Sequence, residues 1–138
     1  MADLTVTPAS VLWSSGNAPV SGYNAGASIA AGDALYLDSV TSTLKLAQSD
    51  GSAAEAAVVG IALNAAGSGQ PVSYAPNGAV INIGATTAKT TTYMLSAAAG
   101  KVCPQADLVS TNKITRIGYA TATDGSFVVD IKNTGAVV

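Results

Sequence analysis

The chain of 138 residues predicts a mainly β fold, a small β-barrel or β-sandwich of short antiparallel strands. Three observations carry that prediction. Turn signals are dense: Asp50-Gly51, Gly67-Ser68-Gly69, Asn77-Gly78 and Asp124-Gly125. The runs between them alternate apolar and polar residues, the period of a strand with one buried face. No segment carries the capped i, i+3, i+4, i+7 apolar stripe of an amphipathic helix. Many short strands separated by such turns belong to barrels and sandwiches.

Residues 1–26 open the chain as an extended N-terminal arm or edge strand. LTVTPASVLWSSGNAPVSGYNAGA holds two prolines, several Gly and Ser, and the only Trp of the sequence. It loses all periodicity after Trp13. Residues 27–138 then read as a single β domain. Strands are expected at 33–38, 43–47, 58–64 and 91–95. Between the second and third of these, SDGSAAEAAVV contains good helix formers, and Asp50 or Ser52 is placed to cap a single turn. That is the one short helix the sequence allows.

Two segments read as hairpins. QPVSYA runs into Pro76-Asn77-Gly78 and AVINIG follows, and Asn-Gly favours a turn whose twist matches paired strands. A hairpin is therefore expected over 70–84. KITRIGYATAT runs into Asp124-Gly125 and SFVVDIK follows. There Phe127, Val129 and Ile131 share one face, while Val128, Asp130 and Lys132 share the other.

A weak internal echo joins these parts. VVGIALNAAGSGQPVSY, residues 58–74, is answered by RIGYATATDGSFVVDI, residues 116–131. Tyr36 precedes Gly60 much as Tyr93 precedes Gly118. Two similar β units follow, at about 31–84 and 90–135. In each, the glycine marks a bulge or a place where another backbone comes close.

Composition narrows the function. Charged residues are 10% and aromatics 5% of the chain, with a formal charge of −2. The six basic residues are scattered, so no run of them neutralises a phosphate backbone. A nucleic-acid partner is not expected. The longest strongly apolar run, 56–63, is far shorter than the ~20 residues that span a bilayer as a helix, so no membrane partner is expected either. The start MADLTVTPAS lacks the basic and apolar regions of a signal peptide. Synthesis in a cytoplasm is the plain expectation.

The sequence contains no histidine, which removes the commonest general base and metal ligand. Cys103 is the one thiol. It reads as a small buried residue rather than a nucleophile. The carboxylates sit mostly beside glycines or at strand ends, where Asp serves turns. Gly67-Ser68-Gly69 lacks the Gly-Lys-Ser/Thr ending of a phosphate cradle. No catalytic, cofactor or metal site is therefore expected. Trp13 has three readings: an interface anchor, a residue of the chain's own core, or a sugar-stacking platform. Its Pro- and Ser-rich setting favours the anchor.

Longer stretches resemble a known family. AGDALYLD, STLKLAQSD, AAVVGIALNAAGSGQPV, GATTAKTTTYMLSAAAGKVCPQADL and RIGYATA are together similar to the capsid decoration, or cement, proteins of tailed bacteriophages. The start ADLTVTPASV is similar too, so the resemblance runs over nearly the whole chain. It implies a β-rich structural protein on the outer surface of the virion, made in the host cytoplasm. Its partner would be the major capsid protein, docked where capsid subunits meet, with the subunit itself a dimer or trimer. Leu4, Val6, Val11, Leu12 and Trp13 are then the residues expected to contact the capsid. Deleting 2–14 is expected to leave a folded domain that no longer binds. The rival reading is a surface-displayed carbohydrate-binding or adhesive β module, which needs exposed aromatics on one face.

Overall fold

The computed structural model describes residues 3–108 and 112–137. They form β1 (Val11–Gly16), β2 (Val20–Ala25), β3 (Ala34–Asp38), β4 (Thr43–Leu46), β5 (Val58–Ala62), β6 (Pro71–Ala75), β7 (Ala79–Ile83), β8 (Thr92–Leu95), β9 (Val102–Pro104), β10 (Lys113–Ala120) and β11 (Ser126–Val137). Two 3₁₀ turns, Pro8–Ser10 and Gln105–Asp107, are the only helical elements among the described residues. Strands β2-β4-β3-β5-β6 close into a barrel, and the rest form a six-stranded sheet in the order β1-β7-β11-β10-β8-β9. The mainly β class expected from the sequence is what the chain adopts, with a barrel and a sheet side by side.

The core shows why two of these strands read as nearly continuous apolar runs. Along β3, Leu35 and Leu37 pack inside the barrel with Leu44, Val72 and Ala62. Ala34 and Tyr36 turn to the other side and pack with Ile81, Leu95, Ile117 and Phe127 of the sheet. Strand β5 divides in the same way, with Val58 and Ile61 toward the sheet and Val59 and Ala62 toward the barrel interior. A strand buried on both faces has no polar face to show.

The internal echo coincides with a repeated topology. In the barrel the chain visits β2 to β6, and β3 pairs antiparallel with both β4 and β5. In the sheet it visits β7 to β11, and β8 pairs antiparallel with both β9 and β10. Strand β6 runs antiparallel to β2, as β11 does to β7. Each unit carries a register shift beside its glycine. A Cβ on Gly60 would press into the Ala75 carbonyl, and one on Gly118 into the Val128 carbonyl. The close backbone approach is thus real in both.

One link differs. Strand β2 closes the first unit by pairing parallel with β4, Asn24 opposite Thr43 and Ala25 opposite Leu44. This is also the exception to the expected antiparallel pairing. The second unit has no β7–β9 pairing, and β1 lies on the free edge of β7 instead.

One expectation is corrected. The segment 70–84 supplies two strands, but they do not pair with each other. Strand β6 pairs with β2 and β5, and β7 pairs with β1 and β11. The Asn77-Gly78 turn therefore carries the chain from barrel to sheet. Gly78 has the positive φ of 88° that the turn demands. It is held from outside, because Gly78 donates to Val129 O and the Asn77 side-chain oxygen accepts from Ile131 N–H. Local turn chemistry sets a reversal but not its partner strands. Of the two readings of the N-terminal stretch, β1 takes the edge-strand one, at the end of the sheet, while β2 joins the barrel. At 52–56 the chain forms one turn, capped by Ser52 as the sequence allows. Ser52 Oγ accepts from Glu55 N–H while Glu55 Oε1 accepts from Ser52 N–H, the reciprocal arrangement of a capping box.

Candidate interaction surface

Sheet register places the surface. Val11, Ile81, Ile83, Phe127, Val129 and Ile117 face the core and are buried. The residues between them face outward. One row runs Val80, Val128, Tyr119, Thr92 across β7, β11, β10 and β8. The row beside it runs Leu12, Asn82, Ser126 from the β1 edge. Val80 and Val128 are half-buried, while Leu12 is 65% and Tyr119 40% exposed. The outer face is thus a mixed apolar band ending at β1, the edge strand of the sheet. Such bands mark places where another molecule lies.

The five residues expected to make outside contacts divide. Leu12 and Trp13 are exposed. Trp13 sits opposite Ile81 at the sheet rim, and its indole N–H donates to Asn17 O at 2.9 Å. Val11 is only 5% exposed and belongs to the chain's own interior, so its expected outside role is corrected. The alternation of β1 explains this, since Val11 lies opposite buried Ile83. Leu4 is half-buried on the main core, and half-buried Val6 lies against Gly32. Deleting 2–14 would therefore remove an edge strand and a core residue, not a detached arm.

Tyr119 is not singled out by the sequence, because only the β10–β11 register brings it beside Val128. Val128 falls on the polar-phase face of its strand, and Tyr119 is its cross-strand partner. Around Tyr119 a shallow cleft is lined by Lys89, Thr90, Thr92, Arg116 and Thr121. Thr90 takes a φ of 66°, unusual for a β-branched residue. Its N–H donates to Ala120 O at 2.9 Å. Arg116 is partnered by Asp130 at 3.0 Å.

A second exposed feature is the β3–β4 loop. Val40 at its tip is 91% exposed. The loop is tied from below: Val40 N–H donates to Asp38 Oδ1, and Lys45 Nζ reaches Asp38 Oδ2 at 2.7 Å. The Lys45 bond holds the Asp38 carboxyl below its ordinary range.

Cys103 is buried, and burial, with the carboxylates of Asp3 and Asp107, pushes its thiol up to about 11. At neutral pH it stays a protonated packing group, the opposite of an activated thiolate. Among the described residues no three of His, Cys, Asp and Glu gather as a metal site would require. No helix among them is long and apolar enough to cross a membrane. No protein-family model matches this chain, and no curated protein matches it.

Proposed function

We propose that this protein is a structural subunit of a bacteriophage head, bound to the outer capsid surface where major capsid subunits meet. The reading joins the resemblance in the sequence to one observation, the uncovered band Leu12–Val80–Val128–Tyr119 that ends at a free strand edge. Burying a fully exposed Leu side chain is worth about 2 kcal/mol. Modest contacts of that size, repeated in every copy over a shell, stabilise the assembled lattice by linkage. Few charges suit the role, since less polar hydration opposes docking. On the shell the subunit works as a dimer or trimer.

The test uses purified heads that lack the protein. Wild-type chain is expected to co-sediment with them and raise their disruption temperature. Leu12→Asp and Tyr119→Asp should lose at least about tenfold in binding. Both side chains lie on the outer face, so each variant should still fold, with Tyr119→Asp costing about 1 kcal/mol or somewhat more through its lost strand contacts. Failure of the wild-type chain to bind heads would sink the reading. Glycan binding that depends on the exposed Tyr119 ring would favour the carbohydrate module instead.

A further inference from the structure

The second β unit is an opened copy of the first, and its seam is filled by the start of the chain. In the first unit, the Gly26 N–H donates to Leu44 O at 2.8 Å as β2 joins β4. In the second, the outer edge of β9 receives the Leu4 N–H on Val102 O, also at 2.8 Å. Three residues later the Thr7 N–H donates to Gly84 O at 2.7 Å, just past the end of β7. Residues 3–7 therefore span from β9 to β7, where the first unit has its parallel link. Asp3 Oδ1 accepts a hydrogen bond from Ser96 Oγ at 2.6 Å and fixes one end. Leu4 packs on the core at that point. Strand β1 then continues along β7 and pairs with nothing else.

Segment 3–16 is thus an edge element joined to the body through residues 17–19 alone. All three residues of that link are exposed. Pro19 fixes its own φ and drives Ala18 toward extended backbone. The link follows Gly16, whose φ of 78° makes the turn out of β1.

We propose that segment 3–16 is exchanged between two copies of this chain, each lying in the β7–β9 seam of the other. Every seam is identical, so reciprocal exchange keeps each bond named above and changes only the path of the link, where the Asn17 bonds to Asn77 O and Gly78 O must open or re-form between copies. A short proline-bearing link joining an edge element to its domain is the arrangement that favours swapping. The link runs on from β1 into β2 along the β6–β7 segment, Gly16 opposite Ala79 and Val20 opposite Tyr74, so exchange needs only a change of path at 17–19, and concentration supplies the second copy. The inference does not depend on docking to a capsid, and its test contains no heads.

The Asp3–Ser96 contact reports the exchange. Asp3→Cys and Ser96→Cys are combined with Cys103→Ala, which removes the competing thiol. Heavy-isotope-labelled and unlabelled full-length chains are mixed equally, unfolded, refolded together at millimolar concentration and oxidised. Mass spectrometry then reads the disulfide-linked peptide pair. Full exchange predicts that about half of the pairs join one heavy and one light chain. Pairs of like mass only would overturn the proposal. If the triple variant does not fold, the unmodified chain carries the test by light scattering. It should reach twice the chain mass at high concentration, and a Gly-Gly-Ser insertion after Ala18 should return it to a single chain. A single-chain mass for the unmodified protein at millimolar concentration would equally overturn it.

Discussion

Gly60 and Gly118 do the same work in the two units. Each sits where the return strand's carbonyl crosses so closely that no side chain fits. Gly118 meets Val128 O with the Phe127 ring behind it, and Gly60 meets Ala75 O beside Tyr74. Backbone cannot retreat as a flexible side chain can, so a methyl group there forces strands apart. Gly60→Ala and Gly118→Ala should each cost about 1–3 kcal/mol, the usual range for overpacking. Urea unfolding midpoints measure this, and unchanged midpoints would show that the strands yield without strain. Neither glycine has a positive φ, so the expected loss is one of space alone.

At the scale of elements, the link between β6 and β7 shows what local sequence does and does not specify. Asn77-Gly78 was legible as a turn, and the strands on either side were legible from their alternation. Their partners were not, because Val72 and Ile81 are equally apolar although they fill different interiors. The turn is instead fixed by distant groups. Asn77 Oδ1 accepts from Ile131 N–H at 2.9 Å, and Asn77 O accepts from Asn17 Nδ2 at 2.8 Å. Asn77→Ala should cost about 1 kcal/mol through the lost bond to Ile131, and amide exchange at Ile131 should quicken. Protection unchanged at that amide would discount the bond. Strands β2 and β9 are hidden for a related reason: Ser, Gly and Pro break their pattern, and pairing with β6 and β8 supplies what propensity does not. Of the interaction surface, Leu12 and Trp13 were legible. Tyr119 needed the register of β10 against β11 to be seen.

In the whole molecule, the two units meet around Gly100 and Asp33. The Ala34 N–H donates to Gly100 O while the Gly100 N–H donates to Ala47 O, so the 96–101 loop is stitched between β3 and the end of β4. Asp33 lies beside this stitch, only 8% exposed, with Lys101 Nζ at 3.8 Å. Burial pushes its carboxyl above the ordinary 3.8, against the pull of the Ala30 N–H and of Lys101. The fold therefore prefers the protonated acid. Stability should fall as pH rises through the unfolded value to the folded one and stay lower above it. Asp33→Asn keeps an acceptor for Ala30 without the charge. It should unfold at higher temperature than wild type at neutral pH, and the difference should vanish in acid. Equal melting curves at neutral pH would mean that Lys101 fully offsets the burial.

The tethered loop at Val40 has a practical consequence. Its ends are already pinned by Asp38 and Lys45, and the Val40 side chain at its tip stands in solvent. A foreign epitope inserted between Val40 and Thr41 would leave the Val40 N–H on Asp38 and project into solvent. Cargo fused ahead of Asp3 would instead hang on residues that bridge β9 and β7, which makes the loop the better place for an insertion.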